Sequence, residues 1–156
     1  MDSILQPFKN VINKSTYILN KIGQSDIMEI KNTCDSLNLG KYLLQKVYEI
    51  LGENNNEWDT IKKSLDIKVF KKFIGLSPLK NKEKLLPIVK EVTNNSGFSA
   101  GDKYQKTYKV CGTLCDYFNV CNNYYNELDN QKKLLDEIEA LNVEIQDHNK
   151  TTKEYI

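Results

Sequence analysis

Two heptad-spaced apolar stripes, one near each end of the chain, constrain its fold more than any other feature. In the first segment Ile4, Phe8, Val11, Ile18 and Ile22 recur by fours and threes, with Ser15 in the remaining seam position. In the last, Leu128, Leu135, Ile138, Leu141 and Ile145 share one stripe flanked by Lys132, Lys133, Asp136, Glu137 and Glu139. Such spacing hides one face of a helix against another helix. Each end is therefore a strand of a coiled coil or an ordinary amphipathic helix of a bundle. The simplest arrangement pairs the two antiparallel, so that each seam covers the other and the middle of the chain forms a knob at the turn. The expected fold is all-α: a small multi-helix globular knob at the tip of an antiparallel two-stranded coiled coil. Residues 1–35 would be the first strand, 36–125 the knob, and 126–156 the second strand.

The middle divides at turn signals. Asn38-Leu39-Gly40 precedes a helix from Lys41 to Leu51, whose Leu43, Leu44, Val47, Ile50 and Leu51 form an apolar face, and Gly52 is the stop. Lys41, Gln45 and Tyr48 are expected to point outward from it. After the polar Glu53-Asn54-Asn55-Asn56 run, Trp58 to Leu65 and Ile67 to Gly75 read as two short helices, the second crowded with Lys68, Lys71 and Lys72. Residues 82–93 form another helix, with Pro87 in its early turns and Asn94-Asn95-Ser96-Gly97 closing it. From about residue 101 only Gly112 interrupts a long helical run into the C-terminal seam, so knob and second strand share one helix.

The formal net charge of +1 conceals a division along the chain. Residues 36–109 hold fourteen Lys against eight acids, while residues 110–156 hold four Lys against nine. All 22 basic residues are Lys, so the bidentate guanidinium forks that read phosphates and base edges are missing and a nucleic-acid partner is disfavoured. A patch of lysines instead suits diffuse attraction to an acidic surface. No run approaches the roughly 20 apolar residues of a membrane span, and Met1-Asp2-Ser3 does not start a signal peptide. A chain of this kind is expected to be intracellular, with no membrane partner.

Parts for chemistry are few. The single histidine, His148, lies in the terminal stripe, far in sequence from Cys34, Cys111, Cys115 and Cys121, which argues against a Cys/His nucleophile pair or zinc site. Three of the cysteines share one apolar segment at helical spacing and read as reduced core thiols. No glycine-rich phosphate loop occurs. No catalytic role and no cofactor are expected of this segment.

Several segments, read in order, resemble the microtubule-binding tip of dynein heavy chains. Residues 19–31, with Leu19, the pair Asp26-Ile27, then Glu29, Ile30 and Lys31, are similar to the end of that family's first stalk strand. Lys41 to Gly52 resembles the first tip helix, Trp58-Asp59-Thr60-Ile61-Lys62-Lys63 the tryptophan-led second, and Phe70-Lys71-Lys72-Phe73 the third. Gly97-Phe98 falls at the aromatic-marked turn before the long sixth helix, and Leu114-Cys115-Asp116-Tyr117-Phe118 matches that helix's Leu-Cys-x-aromatic segment, with Tyr124 following. The chain departs from the family at the stalk prolines, which are replaced around Ser36-Leu37 and Lys133, and at Tyr117, where the family has tryptophan.

The resemblance implies a knob that grips tubulin through its first, third and sixth helices, with the remainder of a dynein heavy chain as its other partner. The residues at matching positions are Lys41 and Lys46, then Lys68, Lys71 and Lys72, then Lys103 and Lys106. It also implies an association with microtubules in the cytoplasm or axoneme, ATP and magnesium used in a distant ring, and a stalk that slides between registers to alter affinity. Ser15 within one seam and Asn142 or His148 near the other are positions where such a slip would be eased. The competing reading is a coiled-coil scaffold or adaptor without microtubule affinity, which has no need of the lysine surplus in the middle.

Overall fold

The computed structural model describes residues 2–33, 38–53, 57–94 and 109–154. They form seven helices: α1 (Asp2–Asn20), α2 (Gln24–Thr33), α3 (Asn38–Ile50), α4 (Trp58–Ser64), α5 (Ile67–Ile74), α6 (Lys82–Thr93) and α7 (Lys109–Glu154). No strand occurs among the described residues. The all-helical fold is present, and the short helices near 58–65, 67–75 and 82–93 lie where expected, but α3 begins at Asn38, so Asn38-Leu39-Gly40 form its first turn rather than preceding it. Cys34, and the turn from Gly97 into the long helix, fall outside the described residues.

The first half of α7 is the pillar of the core. Val110, Cys111, Leu114, Cys115, Tyr117, Phe118, Cys121, Tyr124 and Tyr125 are all buried. Helices α1, α6, α2 and α3 pack around this pillar, α1 most extensively. Pro7 and Phe8 lie beside Val120 and Asn123, while Asp26 and Ile30 lie beside Lys109 and Val110. The α1–α2 segment therefore runs antiparallel to α7.

Which stripe of α1 faces α7 differs from the expectation. Leu5, Ile12, Ser15, Leu19 and Ile22 are buried, with Phe8 packed against the same cluster, whereas Ile4, Val11 and Ile18 are 49%, 49% and 41% exposed. Both sets have heptad spacing and share Phe8, Ser15 and Ile22; the shape of α7 selects one of them. The expected first strand is also broken. Helix α1 ends in a turn where the amides of Lys21 and Ile22 bond the carbonyls of Ile18 and Leu19, and α2 restarts with the Gly23 amide donating to Asp26 Oδ2 at 3.0 Å. That last bond is one half of a capping box.

The two end seams do not cover one another. Helix α1 lies along the first half of α7, and every described side chain from Lys132 to Lys150 is exposed. Leu135, Ile138, Leu141 and Ile145, together with Leu134 and Val143, are 47–57% exposed.

Local chemistry fixes the remaining helices. Helix α3 closes on Gly52 at φ 80°, with Glu53 N–H bonding the Tyr48 carbonyl and Gly52 N–H that of Glu49, the two bonds of a Schellman motif. Tyr48, expected to face outward, is buried because its hydroxyl meets Ser64 Oγ of α4 at 2.7 Å. Tyr125 is anchored by donating to the Pro78 carbonyl at 2.9 Å.

Candidate functional site

Helix α5 carries the clearest display of positive charge. It starts because Asp66 Oδ1 accepts the Val69 amide at 2.9 Å, filling one of the vacant bonding positions at the helix N-terminus. It is held because Phe70, Phe73 and Ile74 point into the core, where Phe73 meets Tyr117 edge-on with ring centroids 5.5 Å apart. At about 100° per residue, Lys68 and Lys72 then fall almost opposite that apolar face, and Lys71 falls on its flank. Lys68 and Lys72 are exposed and form no hydrogen bond or ion pair among the described residues. Lys71, also exposed, is engaged: its Nζ donates to the Asn20 carbonyl at 2.8 Å and to Asn20 Oδ1 at 3.1 Å.

On α3 the two expected lysines have different fates. Lys41 is half-buried with Nζ 5.9 Å from the centre of the Trp58 ring, while Lys62 Nζ lies 6.0 Å from the same ring. Two ammonium groups thus lie within cation–π reach of one indole ring near the junction of α3 and α4. Lys46 is turned into the knob. Its side chain is 13% exposed and lies 3.0 Å from Glu49 and 2.7 Å from Glu91, so it braces α3 against α6. Burial acts to lower its ammonium pKa, but the hydrogen bonds and charges of Glu91 and Glu49 outweigh burial and hold it above its usual value.

Lys103 and Lys106 lie outside the described residues. Two lysines not singled out from the sequence adjoin the display: Lys62, whose i,i+4 spacing from Trp58 is the signal that could have found it, and the exposed Lys63. The acids are unevenly available. Glu49 and Glu91 are paired with Lys46, and Asp66 accepts the Val69 amide at the start of α5.

The arrangement is suited to electrostatic docking. Cys121 is buried against the Tyr117 hydroxyl, and burial pushes its thiol up to about 12, which leaves it uncharged at neutral pH. Burial raises the Tyr117 hydroxyl as well. Among the described residues no three His, Cys, Asp or Glu side chains gather to hold a metal ion, and no helix is long and apolar enough to cross a membrane. Compared with known proteins, the chain matches no family model and no curated protein.

Proposed function

We propose that this chain is the microtubule-binding knob and adjoining stalk segment of a dynein-like heavy chain, docking on acidic tubulin surfaces through Lys68 and Lys72 of α5 and neighbouring lysines. The observation that carries the reading is α7. One continuous helix of 46 residues forms the core of the lysine-bearing knob and then extends beyond it with an uncovered apolar stripe. A helix shared between reader and rod is what a binding tip needs if events at one end are to reach the other. The uncovered stripe is then the second stalk strand, and its partner would belong to the rest of the heavy chain.

The two stripes on α1 support a sliding stalk. Leu5, Ile12 and Leu19 differ from Ile4, Val11 and Ile18 by a rotation of only about half the 100° step between neighbouring residues, once the shared Phe8, Ser15 and Ile22 are included. An open apolar cleft lined by Pro7, Phe8, Val11, Val120 and Asn123 gives the second stripe somewhere to go. Ser15, buried in the shared part of the seam, gives little side-chain bulk to oppose the slip.

Co-sedimentation with microtubules across a salt series tests the reading. The wild-type chain should pellet at low salt and release as salt rises. Paired Lys68→Glu and Lys72→Glu substitutions should abolish pelleting, and Lys103→Glu with Lys106→Glu should weaken it. Lys46→Met should leave binding nearly unchanged and instead cost about 1 kcal/mol of fold stability, because its charge is already spent on Glu49 and Glu91. Absence of pelleting at low salt, with α1 fixed by engineered disulfides in either stripe, would defeat the proposal in favour of a scaffold.

A further inference from the structure

Resting on that reading, we infer that Lys71 is a positioning residue that couples the α1–α2 joint to the lysine display, and does not itself dock on the partner. Three polar links converge on the α4–α5 corner from the end of α1 and from α2. Lys71 Nζ binds the carbonyl and side-chain oxygens of Asn20, the last residue of α1, at 2.8 and 3.1 Å. The amide of Ile67, first residue of α5, donates to Gln24 Oε1 at 3.1 Å. Lys31 Nζ donates to the Leu65 carbonyl, just before the Asp66 cap, at 2.9 Å.

Each link satisfies a backbone group that helix geometry leaves open. The Asn20 carbonyl is among the last of α1, where the helix dipole favours a cation, and the Ile67 amide is among the first of α5. Both ends of the joint are therefore tied to α5 through groups with no intrahelical partner. Lys68 and Lys72 stand three residues before and one residue after Lys71 on a helix of eight residues. A displacement of α1 along α7 must stretch the Asn20 bonds or drag α5 with it, and either outcome changes how Lys68 and Lys72 are presented. The coupling runs both ways: an acidic surface that engages Lys68 and Lys72 and shifts α5 stretches the Lys71–Asn20 bonds and loosens the end of α1.

The full chain with Lys71→Met, Lys71→Arg, Lys68→Met or Lys72→Met distinguishes coupling from contact. Amide exchange without microtubules is the first readout. Lys71→Met should speed exchange about three- to tenfold in the last turn of α1 and the first turn of α5. Lys71→Arg should restore protection, and Lys68→Met and Lys72→Met should leave it unchanged. The second readout is the salt dependence of microtubule pelleting. Lys68→Met and Lys72→Met should flatten it, whereas Lys71→Met should weaken binding about threefold with the slope kept. Unchanged exchange in Lys71→Met, or a slope flattened as in Lys68→Met, overturns the inference. If the wild-type chain does not pellet, the microtubule reading fails by itself and the exchange pattern still decides whether Lys71 couples α1 to α5.

Discussion

At the scale of residues, the core chemistry of α7 makes the chain sensitive to alkali. Cys121 titrates near 9.0 when solvated and is pushed up to about 12 by burial. The fold therefore favours the protonated thiol, so its contribution is complete below pH 9 and is lost as pH rises towards 12. Tyr117 and Tyr125 are raised by burial too, but their solvated hydroxyls titrate near 10.0, so the loss between pH 9 and 10 belongs mainly to the thiol. Urea midpoints measured under reducing conditions should fall across that interval in the wild type and fall less steeply in Cys121→Ala, whatever the offset between the two proteins. A parallel fall in both would show that the thiol is not the source. The lysines show what the sequence hides at this scale. The family resemblance groups Lys46 and Lys71 with Lys68 and Lys72, but only folding brings Glu91 to one and Asn20 to another, 45 and 51 positions away in the chain.

Single elements were legible wherever one residue decides their borders. Gly52 ends α3 because a positive φ is cheap only for glycine, and its added Cβ would meet nothing within 4 Å, so Gly52→Ala should cost about 1 kcal/mol through backbone strain alone. Asp66→Ala should cost about as much by leaving the Val69 amide uncapped. It should also loosen the α5 lysines, while Asp66→Asn, which retains an acceptor, should recover most of the loss in thermal melts. Helix α1 was less legible, for a physical reason. Two apolar stripes of equal heptad spacing lie side by side on it, and periodicity gives no ground to prefer Leu5, Ile12 and Leu19 over Ile4, Val11 and Ile18. The choice belongs to the complementary surface of another helix, α7, against which α1 packs. Tyr48 is a similar case, since it is buried with its hydroxyl against Ser64 of α4, a neighbour that nothing within α3 announces.

For the whole molecule, α7 sets two stabilities on one helix. From Lys109 to Tyr125 it is held by the packed core; from Lys132 to Lys150 every side chain is exposed and the helix has only local support. Just before and at the start of that stretch Asp129 and Lys133 pair at 3.2 Å and Gln131 donates to Glu127 at 2.7 Å, each contact contributing about 0.2–0.5 kcal/mol by the behaviour of isolated helices. A single helix of this length without a packing partner is marginal in water. Amides beyond residue 132 should therefore exchange near the rate of a fraying helix, while those of 110–125 should exchange only through opening of the core. Replacing Leu135, Ile138, Leu141 and Ile145 with Gln should leave the melting of the knob within about 2 °C of wild type, because surface changes away from packed features rarely exceed a few tenths of a kcal/mol. If the stripe is a stalk strand, a basic heptad peptide complementary to it should slow exchange beyond residue 132 in the wild type and have no effect on the Gln variant. Equal protection of both would show that the stripe is a solvated face, and the rod would lose its physical basis.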